Sequence, residues 1–242
     1  MKTRSKFVSL LDHLVSLYPE VDRERLFGRV LCGDVLVDAS VLRDPKVKVS
    51  VEAEVVLSTK RFVGRGGFKL DPVLEAWSLP VAGKVFLDAG SSTGGFTDAL
   101  LQRGALRVHA VDVGTAQLDW KLRADPRVIV REGTNVMTLE ALDPKPHAAV
   151  ADLSFRSLRG AAAHILSLTT EGWMVALIKP QFEWLDPPGD FQGIVPDDQW
   201  GAILGKLEAD LGAEGVALTD LLPSSVRGRK GNQEYLARLR RA

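Results

Sequence analysis

Four charged side chains stand at the ends of apolar runs along this 242-residue chain. Asp88 closes VFLD, Asp112 closes RVHAVD, Asp152 closes AAVAD and Lys179 closes WMVALIK. A charge at a strand end is often only where the chain meets water. Four along one edge of a sheet would instead line a site, because open α/β sheets bind ligands at the carboxyl ends of their strands. After Asp88 and Ala89 come Gly90, Ser91, Ser92, Thr93, Gly94 and Gly95, then Phe96, which opens a helix read as far as Arg103. Glycines let backbone N–H groups approach a ligand, and a helix start adds a partial positive charge. The loop matches neither the GxxxxGK[ST] phosphate cradle nor the spaced GxGxxG fingerprint. Taken alone it is equally an ordinary strand-to-helix connection.

Asp112 is the second clue. An acid ending the second strand of a doubly wound sheet is placed to accept hydrogen bonds from ribose hydroxyls. Loop and acid together point to a nucleoside-containing cofactor, and S-adenosylmethionine suits a loop without a pyrophosphate fingerprint better than NAD does.

The elements that must position these residues follow from periodicity. Strands are read at 85–88, 107–112, 127–133, 148–152, 172–179 and 215–222, with a last alternating segment from Tyr235, and helix-length segments separate most of them. That pattern predicts an α/β fold with a mostly parallel sheet and helices on both faces. Upstream, 66–79 has apolar residues at helical spacing with Lys69 at its start, and WLDPPGDFQG (184–193) is a proline- and glycine-rich loop long enough to cover a site. Glu234 stands alone among six basic residues in the last twenty.

Residues 5–18 and 22–32 read as amphipathic helices, the second with Asp22 as N-cap, and 33–57 as a small antiparallel β unit. The net charge of zero conceals an uneven distribution: 13 basic against 9 acidic residues over 1–70, 12 against 21 over 71–222, and 6 against 1 over 223–242. Basic ends around an acidic middle suit a polyanionic partner such as RNA, or are simply solvated. The single Cys32 excludes a disulfide within the chain and reads as a small apolar residue. With no signal segment over 1–18, and apolar runs far short of the roughly 18 residues that span a bilayer, a cytoplasmic protein without a membrane partner is expected. Four scattered histidines and one cysteine offer no metal-ligand spacing, so no metal is expected.

Two resemblances add to this reading. The run 5–57 resembles the small RNA-binding fold first known from ribosomal protein small-subunit four, with Arg23, Arg25 and Arg29 on its second helix and Gly33-Asp34-Val35-Leu36-Val37 as its following strand; the usual Asn-Gly turn appears as Asp38-Ala39. Nearly the whole chain resembles the TlyA-type, hemolysin A family of ribosomal RNA methyltransferases. The motifs are GRGGFKL (64–70), LDAGSSTGGFTDALLQRGA (87–105), VDVGTAQLDWKLRADPRV (111–128), ADLSFRSL (151–158), LIKPQFE (177–183) and GNQEYL (231–236).

The resemblance implies an RNA-binding domain over 1–58, a linker over 59–66 and an FtsJ-like domain over 67–242 with a seven-stranded, mostly parallel Rossmann-like sheet. It implies S-adenosylmethionine-dependent methylation of ribose 2′-hydroxyls in ribosomal RNA or ribosomal subunits, with catalytic residues Lys69, Asp152, Lys179 and Glu234. Cofactor contacts are expected from Asp88, Gly90 to Phe96, Asp112, Val113, Glu132, Asn135 and Asp152, and RNA contacts from Arg23, Arg25, Arg29, Arg61, Arg65, Arg227, Arg229 and Lys230. Gly133 and Met137 replace two arginines usual in the family. A lysine accepts a proton only in its neutral form, so the resemblance casts Lys179 as base, Lys69 as a like charge favouring that form, and the carboxylates as orienters. A non-catalytic RNA-binding or ribosome-associated protein, or a membrane-active haemolysin, is the alternative.

Overall fold

The computed structural model describes residues 7–31, 33–57, 62–228 and 230–242, the side chains of Arg25 and Leu31 excepted. Cys32, Arg61, Arg229 and 59–61 of the expected linker lie outside the described residues. The described chain forms two compact units. One takes in the residues up to Val63 with Asp119–Lys121, the other Gly64–Leu118 and Leu122–Ala242.

In the first unit Phe7–Ser9 is a strand, β1, where helical spacing had predicted the first turn of a helix. Ser9 sets the boundary: its Oγ accepts the Asp12 N–H at 3.2 Å, capping α1 (Leu10–Leu17). Asp22 likewise accepts the Glu24 N–H at 2.8 Å before α2 (Arg23–Leu31). The β region is two small sheets: β1 pairs with β4 (Lys48–Ser50), and β2 (Val35–Val37) lies between β3 (Ser40–Val41) and β5 (Val55–Leu57). Leu10, Leu14, Leu26, Val30, Val35, Val37 and Val49 are buried together as its core.

Asp38 and Ala39 make the two-residue turn that pairs Val37 with Ser40, at φ +46° and +64°. Both angles are left-handed, as a type I′ hairpin turn requires. Asp38 offsets the cost by accepting the Glu54 N–H at 3.0 Å, whereas an alanine there is strained. Ala39→Gly is therefore expected to stabilise this unit by about 1 kcal/mol, read as a shift in urea midpoint with unchanged slope.

The second unit opens with α3 (Arg65–Ala76), followed by β6 (Val85–Ala89), α4 (Gly95–Gln102), β7 (Arg107–Val111), α5 (Trp120–Arg123, of which Trp120 and Lys121 count with the first unit), β8 (Val128–Arg131), β9 (Ala148–Ala151), α6 (Ala161–Ser167), β10 (Trp173–Ile178), α7 (Pro180–Glu183), α8 (Trp200–Ala213), β11 (Val216–Pro223) and β12 (Tyr235–Arg241). The sheet order is β11-β12-β10-β9-β6-β7-β8. β10, β9, β6, β7 and β8 are parallel neighbours, and β12 runs antiparallel between β10 and β11. This is the seven-stranded, mostly parallel α/β sheet expected. One face buries Leu87, Ala89, Ala149, Ala151, Met174 and Ala176 against Ile165 and Leu166 of α6 and Leu207 and Leu211 of α8. On the other, Phe86 meets Trp173 edge-on at 5.9 Å.

Register does the positioning. Ala89 pairs with both Val111 and Ala151, so the loops after β6, β7 and β9 leave the sheet side by side. Ile178 pairs with Tyr235, which sets the residues just outside that pair, Lys179 and Glu234, at one edge. α3 contains Pro72, which cannot donate to the Phe68 carbonyl; Ser225 Oγ donates to it at 3.2 Å. Arg103, just past α4, clasps Asp71 through Nε at 2.5 Å and its carbonyl through Nη2 at 2.9 Å, holding α3 against α4.

Candidate active site

A cavity of about 700 Å³ opens at the carboxyl ends of the parallel strands. Its floor is the loop after β6. Gly90 and Gly94 have φ +85° and +94°, and the Gly90 and Ser91 N–H groups both donate to Val111 O, at 2.8 and 3.0 Å. A Cβ on Gly90 would lie 2.6 Å from the Asp152 carbonyl oxygen, so only glycine lets the loop pass the end of β9. Gly64, Gly66 and Gly67 at the start of α3 approach Thr93, Gly95 and Phe96 as closely, and this glycine-on-glycine contact brings Lys69 to the cavity wall.

The expected cofactor residues divide into two groups. Gly90, Ser91, Ser92, Thr93, Gly95, Phe96, Asp112, Val113, Asn135 and Asp152 line the cavity. Asp112 accepts the Ser92 N–H at 2.8 Å on Oδ2 and the Gly114 N–H at 2.7 Å on Oδ1, which aims both oxygens and leaves lone pairs free. Asp88, Gly94 and Glu132 are not among the lining residues. Gly94 is the left-handed N-cap of α4. Glu132 ties the loop after β7: its carboxylate accepts the Ala116, Gln117 and Leu118 N–H groups at 2.9 to 3.0 Å and pairs with Arg123 at 2.7 Å. Burial would raise its pKa, but the Leu118 N–H, the Arg123 guanidinium and the Ala116 and Gln117 N–H groups outweigh it and hold it at about 2. Through this tie Glu132 places Gln117, a lining residue that lies within the 111–128 motif but was given no role from sequence. The two departures from the family pattern also have structural reasons: Gly133 turns at φ +65°, and Met137 packs against the core.

Asp88 lies behind the floor, fully buried, with Oδ2 accepting from Thr97 Oγ1 at 2.6 Å and Oδ1 unpartnered. Burial pushes its pKa from 3.8 up to about 7, the Thr97 bond opposing and the charges on Asp152 and Asp112 adding to the rise.

The four residues of the expected catalytic set form two ion pairs. Lys69 Nζ is 2.5 Å from Glu234 Oε2, both side chains almost fully buried. Lys179 Nζ is 2.6 Å from Asp152 Oδ1 and donates to Ser154 Oγ at 3.0 Å. Each ammonium thus has its own carboxylate, and Glu234 offsets the like-charge effect that the lysine pair alone would exert. Around the mouth stand Arg65, Arg156 and Lys230, with the rings of Phe155, Phe182 and Phe191. Phe155 is 92% exposed, sits at φ +59° and meets Phe182 at 5.5 Å between centroids. The 184–193 loop borders the cavity through Phe191 and is tied down by Asn232, whose Nδ2 donates to Gly193 O at 2.7 Å and whose Oδ1 accepts the Val195 N–H at 2.9 Å. Of the other expected RNA contacts, Arg23 is exposed and paired with Asp12, Arg29 is half-buried, and Arg227 is exposed and donates to Gly231 O; none of the three lines the cavity.

Residues 62–241 match the FtsJ-like methyltransferase family model. The chain belongs to that family. It is 39% identical over 228 residues to the 16S/23S rRNA (cytidine-2′-O)-methyltransferase TlyA of Mycobacterium tuberculosis, covering 90% of this chain and 84% of the relative. A Streptococcus thermophilus structure carrying the hemolysin name is 34% identical with a TM-score of 0.72, covering 98% of this chain and 89% of that one. Magnesium protoporphyrin IX methyltransferase from Synechocystis, solved with S-adenosylhomocysteine bound, shares the fold at 16% identity and a TM-score of 0.50, covering 73% of this chain and 84% of that one. The family is that of S-adenosylmethionine-dependent methyltransferases, and the cavity fits that cofactor. The glycine floor admits no side chain at Gly90, and the carboxylates of Asp112 and Asp152 at the cavity with Asp88 behind its floor favour a cationic ligand.

Because the folded-state pKa of Asp88 is raised, its contribution to stability is fully present below about pH 4 and is lost as the pH rises towards 7. Asp88→Asn keeps an acceptor for Thr97 without the charge. Urea unfolding at pH 5 and pH 8 is expected to show the variant gaining on the wild type by about 2 kcal/mol or more at the higher pH. Parallel pH responses of the two proteins would refute the assignment.

Proposed function

We propose that this methyltransferase modifies ribose 2′-hydroxyls of ribosomal RNA, with Lys179 as the base. The observation that carries the reading is the pairing of Lys179 with Asp152 and of Lys69 with Glu234 at one cavity. It is supported by the substrate named for the mycobacterial relative. Gly90 to Thr93, Gly95, Phe96, Asp112, Val113 and Asn135 would hold S-adenosylmethionine, which supplies an electrophilic methyl group when bound. A ribose hydroxyl is a weak nucleophile and needs a base within about 3 Å. Lys179, in its neutral form, takes the hydroxyl proton on Nζ while Asp152 and Ser154 fix its direction. Lys69, anchored by Glu234, donates to substrate oxygens. Phe155 and Phe182 offer planar faces for an unstacked base, and Arg65, Arg156 and Lys230 meet backbone phosphates.

Residues 7–57 act in this reading as a second RNA contact, with Arg23 on the exposed side of α2. The protein then works in the cytoplasm with ribosomes or their subunits; among the described residues no helix is long and apolar enough to cross a membrane.

Tritium transfer from labelled S-adenosylmethionine to purified ribosomal subunits tests the proposal. Lys179→Ala is expected to lower the rate at least ~100-fold with cofactor binding retained. Phe155→Ala is expected to raise KM for RNA about 10-fold, in keeping with the loss of one stacked base. No label in any RNA from a cofactor-binding wild type would overturn the reading.

A further inference from the structure

Glu183 is buried, outside the cavity lining and absent from the catalytic set, yet all its side-chain bonds go to one short segment. It accepts from Ser157 Oγ at 2.5 Å and the Leu158 N–H at 2.9 Å, and pairs with Arg159 Nη1 at 3.0 Å. Arg159 Nη1 donates also to the Glu183 carbonyl at 3.1 Å, and its Nε to Asp210 on α8 at 2.7 Å. Burial pushes the Glu183 pKa up, against these three partners. A buried carboxylate with one set of partners is a poor source of stability, since apolar residues of like volume often serve as well.

What it does is geometric. The segment 152–159 carries both partners of Lys179, Asp152 and Ser154, and the segment 179–183 carries Lys179 itself. The two segments are joined at one end through Lys179 and at the other through Glu183. Between the joins Phe155 is held at φ +59°, a conformation that is strained for a bulky residue and persists only where its surroundings impose it. Without the far join, the loop after Asp152 loses that restraint and Ser154 with it, while the Asp152 backbone keeps its N–H bond to Ala89 O at 2.9 Å.

We propose that Glu183 is a positioning residue for Lys179: it braces the 152–159 segment from behind so that Asp152 and Ser154 hold Lys179 Nζ in its reactive direction. The proposal rests on Lys179 being the base. It predicts loss of rate with little loss of binding, because no cavity-lining side chain is removed.

The test compares Glu183→Ala, Glu183→Gln and Ser157→Ala with wild type, using ribosomal subunits, by kcat and KM, by cofactor affinity, and by the pH titration of the Lys179 signal in protein labelled with [13Cε]lysine. Glu183→Ala is expected to lower kcat about 10- to 100-fold, with KM for RNA and cofactor affinity within about threefold of wild type. The Lys179 titration midpoint is expected to move. Glu183→Gln, which can still bond Ser157 and Leu158, is expected to recover part of the rate. A folded Glu183→Ala protein with wild-type kcat and Lys179 titration overturns the proposal, as does a loss of kcat matched by equal losses in both affinities. If Glu183→Ala does not fold, unchanged kcat and Lys179 titration in both Glu183→Gln and Ser157→Ala overturn it. Wild type that labels no RNA overturns the functional reading instead, and the Lys179 titration then decides the brace alone.

Discussion

Everything at this site depends on holding two lysine–carboxylate pairs, one almost fully buried and one partly exposed, next to a glycine floor. Such pairs are expensive, because desolvating the charges consumes most of their mutual attraction. Their presence is better explained by direction than by stability: each carboxylate fixes one ammonium group at the cavity. The four residues come from the start of α3, the ends of β9 and β10 and the entry to β12, so the cavity exists only when all four elements are docked.

The docking rests on close backbone approach. The Gly90 loop passes the end of β9 at a distance that forbids a side chain, and the first turn of α3 rests on the first turn of α4 through glycines on both sides. Arg103 and Ser225 then secure α3 at points where a charge or a freed carbonyl needs a partner. On the far side of the cavity, Asn232 and Glu183 play comparable parts for the 184–193 loop and the 152–159 segment. The polar groups around the site thus bond to backbone as well as to one another, which is how a polar network can orient loops without opening the core.

Negative charge accumulates at the floor. Asp88 sits behind the glycine loop near Asp112 and Asp152, and its raised pKa records their field as well as its burial. A methyl donor that carries positive charge matches that field, and the product, having lost the charge, matches it less well.

The sequence by itself determined the alternation of strands and helices, the glycine loop and the charges at strand ends, because periodicity and backbone permissiveness are local properties. It also suggested the composition of the proposed catalytic set through its resemblance to a family. Only the tertiary structure decided which lysine meets which carboxylate, since Lys69 and Glu234 are 165 positions apart and meet only when β12 inserts antiparallel beside β10. Likewise the exclusion of Asp88 and Glu132 from the cavity wall, and the roles of Gln117, Ser154 and Glu183, follow from where side chains point after packing. The strand at Phe7–Ser9 was hidden for the same reason: apolar residues at helical spacing are compatible with either state, and the Ser9 cap with the partner strand β4 settled it.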